Sequence, residues 1–476
     1  MTRERLLPWI AGRHWPTDDF VELVEPYRGV VVNEVGQAGP DAVEAALCSA
    51  DEASQLMAAM PVHERARLLR ELSELVAENA EELATDITLA TGKAIRHAFR
   101  ETSRVPWTIG AAAAAAESLM VPGLPADAIP GGEGVVFIAT RAPIGVVAAV
   151  TPFNAPLNLV AHKVAPALAV GNSVVVKPSP SAPGSALRLA QMCTEVGFPA
   201  GAVNVVPGSA ETGQLLLADP RVSLITFTGG TSAGRKIRAA AGLRPVLLEL
   251  GGNSPNIVHA DADVALAASE CLVGGFSNNG QSCNSVQRIL VHESVFATFR
   301  DQLVTRVAAL KVGDPMDPQT DIGPLINEAS AIRIAANLER AESAGAQILV
   351  GGTRDGAVIT PTVVSGVDPA QPLYRDEAFA PVVIVETYSD FSDAIARANS
   401  TSFGLQAAVF TTSIAVSMQA FAELRAGSVI INRSSNFRLD QLPYGGVGDS
   451  GIGREGPKYA AEAMTYIKSL VISAGR

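Results

Sequence analysis

The alternation of short apolar runs with helical stretches between Pro143 and Glu249 constrains the fold more than any other feature of the sequence. Each run ends near a proline, a glycine or a polar residue, and the runs lie at 146–150, 173–177, 203–206 and 224–228. This pattern is typical of buried parallel strands whose connecting helices cover both faces of a sheet. Ligands of such sheets bind beyond the carboxyl ends of the strands, so the site is expected at that edge.

A second alternating region follows Glu249, whereas residues 51–116 are mostly helical. A stretch rich in proline and glycine at 121–134 precedes a β-branched run, and this predicts a projecting hairpin. The run at 466–472 is strand-like. Because edge strands are usually paired with something, both segments indicate sheet extension across a subunit interface.

Composition and charge exclude several classes of protein. Hydrophobic residues make up 48% of the 476 residues and charged residues 18%, which is a globular composition. This length predicts about two to four domains. The net charge of −12, with no basic block, disfavours nucleic-acid binding. With 4 scattered cysteines, no zinc-like spacing, no signal peptide and no membrane-spanning run, we expect a reduced, cytoplasmic protein without a metal site.

Cys283 and Glu249 are the strongest candidates for chemistry. Cys283 ends the small-residue turn Gly280-Gln281-Ser282-Cys283, and Glu249 lies beside a Gly-Gly turn. A thiolate and a carboxylate are the minimum for covalent catalysis with a hydrolytic second half. A lone cysteine, however, is more often a small buried hydrophobe, so the pair needs support from other segments.

Four other segments each allow a functional and an ordinary interpretation. The loop at 229–234 opens a helix after a strand, and it is either a phosphate site or a tight turn. Lys177 ends a strand and either binds a ribose or extends to solvent. Asn154, between two prolines, is either an oxyanion donor or a turn residue. Glu377 is either a ligand or a solvated acid, and His162 is interpreted as structural.

In this order and at these separations, the segments resemble the aldehyde dehydrogenase superfamily from about Asp41 to Ile472. The branch that they resemble includes lactaldehyde, succinic-semialdehyde, phosphonoacetaldehyde and non-phosphorylating glyceraldehyde-3-phosphate dehydrogenases. The motifs that carry the resemblance are Thr151-Pro152-Phe153-Asn154, Val176-Lys177-Pro178, Phe227-Thr228-Gly229, Glu249-Leu250-Gly251-Gly252, Gly280-Gln281-Ser282-Cys283, Glu377-Ala378-Phe379-Ala380-Pro381 and the segment Pro443 to Gly456.

The resemblance implies an α/β fold with a Rossmann-like cofactor domain, an α/β catalytic domain and a small β oligomerisation element. The dinucleotide-binding domain would comprise residues 1–120 and 143–249, and the catalytic domain residues 250–443. The oligomerisation element would comprise a hairpin at 121–142 and a C-terminal strand within 460–476. A homodimer or homotetramer would follow.

The resemblance also implies a role for each motif. Cys283 would attack an aldehyde, Asn154 and the Cys283 backbone N–H would hold the oxyanion, and Glu249 would activate the water that hydrolyses a thioester. Lys177 would bind the adenosine ribose and Glu377 the nicotinamide ribose of NAD or NADP. The other cofactor contacts implied are Thr151, Pro152, Phe153, Ser179, Pro180, Gly208, Thr228, Gly229, Gly230 and Phe379. Because Pro180 replaces a glutamate that repels a 2′-phosphate in many relatives, the choice between NAD and NADP stays open.

Four residues would line the substrate pocket: Gly110, Ala155, Ser282 and Asn284. Gly110 lies where relatives that handle phosphate or phosphonate tend to have an arginine, so a strongly anionic substrate is disfavoured. Gly110 and Ala155 together indicate a roomy, largely apolar entrance. We therefore expect oxidation of a neutral or apolar, and even bulky, aldehyde to its carboxylic acid.

Two alternatives stay open at this stage. A CoA-acylating aldehyde dehydrogenase would transfer the thioester to coenzyme A, although Glu249 favours hydrolysis. A phosphorylating enzyme needs a histidine base, and His292 is the one histidine near Cys283 in the sequence. A non-catalytic binding protein on the same fold is the second alternative, because a fold does not guarantee a function.

Overall fold

Two large sheets organise the computed structural model, which describes residues 4–473. The strands are β1 Glu4–Leu6, β2 Trp9–Ile10, β3 Arg13–His14, β4 Phe20–Val24, β5 Val31–Gly36, β6 Val135–Pro143, β7 Val146–Val150, β8 Ser173–Lys177, β9 Val203–Val205, β10 Val222–Thr228, β11 Val246–Glu249, β12 Ser254–Val258, β13 Val286–His292, β14 Gln347–Val350, β15 Arg354–Asp355, β16 Val358–Ile359, β17 Thr362–Ser365, β18 Val382–Tyr388, β19 Phe403–Gly404, β20 Gln406–Phe410, β21 Ser428–Ile431, β22 Val447–Gly448, β23 Gly451–Ile452 and β24 Thr465–Ser473.

The α-helices lie between these strands and pack on the faces of the sheets. They are α1 Pro40–Ala59, α2 Val62–Glu78, α3 Ala80–Thr91, α4 Ile95–Thr102, α5 Val105–Ser118, α6 Asn158–Ala169, α7 Gly184–Glu195, α8 Ala210–Ala218, α9 Thr231–Ala240, α10 Val264–Phe276, α11 Glu293–Ala308, α12 Glu328–Ser343, α13 Pro372–Arg375, α14 Phe391–Ala398, α15 Ile414–Glu423 and α16 Pro457–Ala463. Single 3-10 turns lie at Ala126–Ala128 and Ser277–Gly280. None of the helices within residues 4–473 is long and apolar enough to cross a bilayer.

The first sheet contains the alternating segment between Pro143 and Glu249. Its order is β23-β11-β10-β7-β8-β9-β2-β3, and β7 to β11 are mutually parallel. From β7 the chain moves outward to β9 on one side, and it then returns to β10 and β11 on the other. The strand order therefore reverses between β7 and β10, which is where ligands bind in sheets of this type.

The central strands of this sheet are buried on both faces. Val147 and Ala149 of β7 pack with α2, α5, α6 and α7, whereas Val146 and Ala148 pack with α1 on the opposite face. Because successive side chains of a strand point to opposite faces, a run of apolar residues can fill both cores at once. The parallel sheet with helices on both faces, predicted from the sequence, is confirmed.

The second sheet has the order β14-β17-β18-β13-β12-β20-β21, and only the β14–β17 pair is antiparallel. It begins at Ser254, shortly after β11 ends at Glu249. Cys283 lies just before β13, and Glu377 lies just before β18. The carboxyl ends of the first sheet thus face the amino ends of the second, and the candidate residues come from both sides of the junction.

A two-stranded ribbon stands apart from both sheets. β6 pairs antiparallel with β24 along its whole length, from Val135 opposite Ser473 to Pro143 opposite Thr465. The predicted hairpin at 121–142 is therefore wrong in its pairing, because its strand pairs with a distant segment of the chain. Most residues of β24 are exposed. Residues 474–476 of the predicted C-terminal segment lie outside the described residues, and the functional division into domains stays a prediction.

Candidate active site

Polar groups at the ends of four strands of the first sheet lie at one edge. Val150 of β7 lies opposite Lys177 of β8, and Thr228 of β10 lies opposite Glu249 of β11. The residues that follow β7, including Asn154, and the glycines that follow β10 extend from the same edge. Because parallel strands end side by side, motifs separated by about a hundred residues in the chain become neighbours.

Cys283 lies where two cavities meet. One cavity, of about 370 Å³, lies beyond the switch point and is lined by eight of the predicted residues: Pro152, Phe153, Thr228, Gly229, Gly230, Glu249, Glu377 and Phe379. The other, of about 230 Å³, is lined by three of the four predicted substrate residues: Ala155, Ser282 and Asn284. Cys283 and Asn154 line both cavities. A molecule in either cavity can therefore reach the sulfur.

A strained turn presents the thiol to this junction. Asn278, Asn279 and Gly280 all have positive φ, and a Cβ on Gly280 would lie 2.0 Å from the carbonyl oxygen of Ala380. The side chain of Asn279 accepts from Gly323 N and donates to Pro324 O and Gly92 O, which anchors the turn. Left-handed backbone of this kind persists where its surroundings fix it, and it is common at active sites.

Two amides and one phenol surround the nucleophile. The Nδ2 of Asn154 donates to Gln281 O at 3.0 Å, and Asn278 Nδ2 donates to Asn154 O at 3.0 Å. The Sγ of Cys283 lies 3.0 Å from the hydroxyl of Tyr444. Desolvation raises the pKa of Cys283 to about 12, against the lowering effects of Tyr444 and Arg438. The thiol therefore depends on neighbouring donors to ionise.

Glu249 is buried with one oxygen free. Its Oε2 has no hydrogen-bond partner among the described residues, and its side chain faces the larger cavity. Burial raises the pKa of Glu249 well above its usual value, and the negative charge of Glu455 raises it further. A carboxylate of this kind can accept a proton from a water molecule.

A cluster of buried charges lies behind Glu249. Glu455 receives the Nζ of Lys163 at 3.3 Å and the Nη2 of Arg438 at 2.9 Å. These ion pairs keep the pKa of Glu455 below its usual value in spite of burial. The guanidinium of Arg438 also lies 3.9 Å from the ring centroid of Tyr444. His162, interpreted from the sequence as structural, is buried here, with Nε2 3.1 Å from both Asp440 and Arg438.

The larger cavity has the groups that a dinucleotide requires. Glu377 accepts from Gly252 N at 3.0 Å, and burial raises the pKa of Glu377 to about 7. Phe379, at positive φ, packs edge-on against Phe153 with centroids 5.9 Å apart. Thr228 Oγ1 in the lining, and Thr151 Oγ1 just outside it, are buried and lack partners among the described residues. Such orphaned polar atoms fit a polar ligand that supplies the missing hydrogen bonds.

The remaining predicted cofactor residues lie outside the lining of both cavities. Lys177 is buried at the end of β8, where burial lowers the pKa of its ammonium to about 8. Its Nζ donates to Pro178 O at 3.3 Å, and no carboxylate pairs with it among the described residues. Ser179 and Pro180 follow β8, and Gly208 lies beyond the end of β9. An unpaired buried cation at a ligand-binding edge fits an anionic group.

Charged side chains form part of the lining of the smaller cavity, for which the sequence predicts a largely apolar entrance. Its lining includes four cations and one carboxylate, and these are Lys93, Arg100, Arg104, Arg438 and Glu101. Lys93 pairs with Glu101, and Arg104 holds Asp440 through Nε at 3.0 Å and Nη2 at 2.7 Å. Arg100 is exposed and has no ion pair among the described residues.

Gly110 is the predicted substrate residue that the structure does not place in this cavity. It lies within α5, with open space around the position of a Cβ. The cations come from the preceding turns of the chain, so the cavity has cations without an arginine at position 110 and the missing arginine does not by itself disfavour an anionic substrate. Lys93, His97, Arg100 and Arg104 follow a 4-3-4 spacing, which places side chains on one helical face and could have revealed them. Burial and neighbouring cations lower the pKa of His97 to about 3, so it is neutral.

Asn284, whose purpose the sequence does not reveal, connects two segments. Its Nδ2 donates to Gln406 Oε1 at 2.8 Å, and its Oδ1 accepts from Asn436 at 3.0 Å. The loop 434–445, which carries Arg438, Asp440 and Tyr444, is thereby fixed beside the nucleophile. Sequence reasoning assigned no role to these three residues, although Tyr444 lies in the motif segment that begins at Pro443. Within residues 4–473, no group of three or more acidic, histidine or cysteine side chains could hold a metal ion.

Comparisons with known proteins agree with this geometry. The model of the aldehyde dehydrogenase family matches residues 10–470. The chain is 40% identical to the 3-sulfolactaldehyde dehydrogenase of Priestia aryabhattai, over 98% of this chain and 97% of the relative. Among solved structures, aldehyde dehydrogenase 21 of Physcomitrella patens, in complex with the reaction product succinate, superposes with a TM-score of 0.97 at 37% identity, covering 99% of both chains.

A second solved structure bears on the cofactor. The glyceraldehyde-3-phosphate dehydrogenase GapN of Methanocaldococcus jannaschii, complexed with NADP, has a TM-score of 0.91 at 36% identity and covers 96% of this chain and 100% of that one. The family resemblance, the fold class and the use of NAD or NADP predicted from the sequence are confirmed. The chain belongs to the aldehyde dehydrogenase family and is an oxidoreductase that oxidises an aldehyde with NAD or NADP.

Proposed function

We propose that the protein oxidises a small anionic aldehyde, carrying a carboxylate or a sulfonate, to the corresponding acid, with NADP⁺ as the preferred oxidant. The observation that carries the substrate class is the unpaired cation Arg100 at the cavity beside Cys283. The other three cations of the lining pair with Glu101, Asp440 and Glu455, so Arg100 is the one without a carboxylate among the described residues and is available to an anionic group. The names of two relatives, which refer to sulfolactaldehyde and to succinate, are in keeping with this class.

The reaction would begin at Cys283. Its thiolate attacks the aldehyde carbon and forms a carbon–sulfur bond, while Asn154 Nδ2 and the backbone N–H of Cys283 stabilise the oxyanion. A nicotinamide held beside Glu377 and Phe379 would supply the hydride acceptor, and loss of the hydride would convert the carbon bound to Cys283 into a thioester. Glu249 then takes a proton from water, the hydroxide attacks the thioester, and the carbon–sulfur bond breaks to release the acid and the thiolate.

The free oxygen of Glu249 supports hydrolysis over transfer to coenzyme A. Glu249 Oε2 is buried without a hydrogen-bond partner among the described residues, and Glu249 and Cys283 line the same cavity. A water molecule between them would contact Glu249 as the base and the thioester carbon on Cys283 as the electrophile. A non-catalytic binding protein would have no need for a buried carboxylate that lacks a partner, since leaving it unpaired costs stability.

Arg100 and Arg104 differ in how they could meet the substrate. The side chain of Arg104 is 43% exposed although Asp440 occupies one edge of its guanidinium. Arg100 is exposed beside the same cavity and is unpaired within residues 4–473. We propose that Arg100 attracts the anionic end of the substrate and that Arg104 holds it, while the aldehyde end reaches Cys283.

Replacement of Arg100 should separate anionic from neutral substrates. We expect Arg100→Gln to lower kcat/KM for succinic semialdehyde and 3-sulfolactaldehyde by about tenfold, because a charge-assisted contact is lost, and to leave butanal unchanged. Steady-state cofactor absorbance measures both values. Arg67→Gln, on the exposed face of α2, is the matched control. A wild-type enzyme that prefers butanal to succinic semialdehyde would refute the proposed class.

The proposed preference for NADP⁺ rests on Lys177 and its surroundings. Burial at the ligand edge leaves this ammonium without a carboxylate partner among the described residues. Pro180, which is exposed, has no charge that could repel a 2′-phosphate. A dianionic phosphate at this position would be attracted to Lys177 with no opposing charge.

A single substitution should reverse this preference. For the wild type we expect kcat/KM with NADP⁺ to exceed that with NAD⁺ by about tenfold, and Pro180→Glu to reverse the order, because a carboxylate repels the 2′-phosphate. Pro369→Glu, the same change on an exposed loop, should have no effect. Equal use of both cofactors by the wild type would contradict the preference.

The pKa of Glu249 predicts a pH dependence of hydrolysis. Water activation needs the carboxylate form, and burial raises the pKa of this group. The rate of acid formation should therefore be low at acid pH and rise as Glu249 loses its proton. Glu249→Gln should slow turnover by about a hundredfold or more and preserve the pre-steady-state burst of reduced cofactor. Glu71→Gln is the surface control, and loss of the burst in Glu249→Gln would place Glu249 in the first half of the reaction.

We further propose that the protein is a homodimer or homotetramer in the cytoplasm. The ribbon exposes Tyr466, Leu470 and Ile472 on one of its faces, which is costly for an isolated subunit. The four free cysteines, among them the nucleophile, suit a reducing compartment. Native mass spectrometry should show an oligomer for the wild type and smaller species for Leu470→Asp, whereas Leu243→Asp, at a fully exposed position, should leave the assembly intact. A monomeric wild type would refute the assembly.

A further inference from the structure

The hydroxyl of Tyr444 is placed to act on the nucleophile itself. It lies 3.0 Å from the Sγ of Cys283, and Cys283 is its one hydrogen-bond partner among the described residues. The tyrosine is buried, and its backbone is fixed by two hydrogen bonds with Glu455, Tyr444 N to Glu455 O and Glu455 N to Tyr444 O. The phenol therefore has little freedom to turn towards another group.

The direction of this hydrogen bond follows from the environment. Burial raises the pKa of Tyr444 well above that of a free phenol, so its oxygen keeps its proton. A thiolate is an acceptor only. Once Cys283 has lost its proton to water, the Tyr444 hydroxyl must be the donor. The other charged groups that face the sulfur are Glu377 and Glu249, which oppose ionisation, and Arg438, which favours it.

Arg438 lies over one face of the phenol ring. Its guanidinium is 3.9 Å from the ring centroid, and Glu455 fixes it with a bond of 2.9 Å. A cation over an aromatic face withdraws electron density from the ring, which makes the phenol hydroxyl a stronger donor. The ring can thus pass the influence of a buried ion pair to the sulfur.

We propose that Tyr444 is a catalytic residue that stabilises the Cys283 thiolate by donating a hydrogen bond, and that Arg438 is a positioning residue that strengthens this donor. The step transfers no atom between protein groups: the thiol proton leaves to solvent, and the phenol keeps its own. The inference does not depend on the proposed substrate or cofactor, because the contact is present without either.

Alkylation of the thiol tests the inference without any substrate. The rate at which iodoacetamide labels Cys283 is measured against pH, with labelling at each cysteine separated by peptide mass spectrometry because Cys48 is exposed as well. Removing a hydrogen bond to a charged group should slow labelling of Tyr444→Phe by about tenfold at pH 7.5 and shift its pH midpoint upwards. The phenylalanine keeps the ring under Arg438. An unchanged midpoint would overturn the proposal.

Tyr374→Phe is a matched control. Tyr374 is also buried and also has an arginine over its ring, with Arg288 5.2 Å from the centroid, but it packs in the core of the second sheet. Removal of the Tyr374 hydroxyl should not change the pH midpoint for labelling of Cys283. A midpoint shifted equally by Tyr374→Phe would show that any buried cavity in the fold has this effect, and it would overturn the role of Tyr444.

A substitution that should move the pH midpoint downwards tests the proposal even if Tyr444→Phe does not fold. Site-specific incorporation of 3,5-difluorotyrosine at position 444 makes the phenol a stronger donor with little change in size, so the midpoint should move downwards. A midpoint that stays or rises would contradict donation by Tyr444.

A double-mutant cycle tests the part played by Arg438. Arg438→Lys keeps the charge beside Glu455 and loses the planar guanidinium over the ring. It should raise the midpoint in the wild-type background and have no further effect in Tyr444→Phe. Equal shifts in both backgrounds would show that Arg438 acts on the sulfur directly, and its positioning role would be refuted.

Discussion

The pairing of Glu455 with Lys163 and Arg438 is the interaction on which the cleft depends. Two cations hold this carboxylate in its charged form in a region where water is scarce. The negative charge of Glu455 in turn raises the pKa of Glu249. Buried ion pairs add little net stability, but removing one partner leaves a charge without compensation. The cluster therefore sets the protonation of neighbouring groups more than it stabilises the fold.

Arg438 connects this cluster to both cavities. It pairs with Glu455, lies over Tyr444 and contributes to the walls on either side of Cys283. One guanidinium thus influences the nucleophile, the base and the entrance. Such sharing explains why the loop 434–445 is anchored through Asn284 and Asn436, since a small displacement of the loop would disturb all three.

Sequence patterns predicted the first sheet well, because its strands depend on local signals, and the candidate catalytic residues that they indicated lie together in the structure. The strands at 146–150 and 173–177 have the predicted bounds, since a β-branched run ends at a proline or a polar turn. Cys283, Asn154 and Glu377 lie together because the carboxyl ends of the strands in the first sheet face the amino ends of those in the second. Local patterns could not reveal the contact between Arg104 and Asp440, which lie 336 residues apart in the chain. The absence of Gly110 from the cavity lining could not be predicted for the same reason, because a cavity wall is a tertiary property.

The pairing of β23 with β11 and of β24 with β6 has a consequence for synthesis. β23 completes the edge of the first sheet, and β24 completes the ribbon. Tyr444 lies before the short strands β22 and β23, and Glu455 lies after them. While the ribosome still holds those residues, the β11 edge is open and the apolar β6 strand has no partner. Unpaired edges invite aggregation during folding. The β11 edge and the β6 strand therefore stay unpaired until the residues of β23 and β24 have emerged, and a chain released before Gly451 would have neither a closed sheet nor the ion pairs of Glu455.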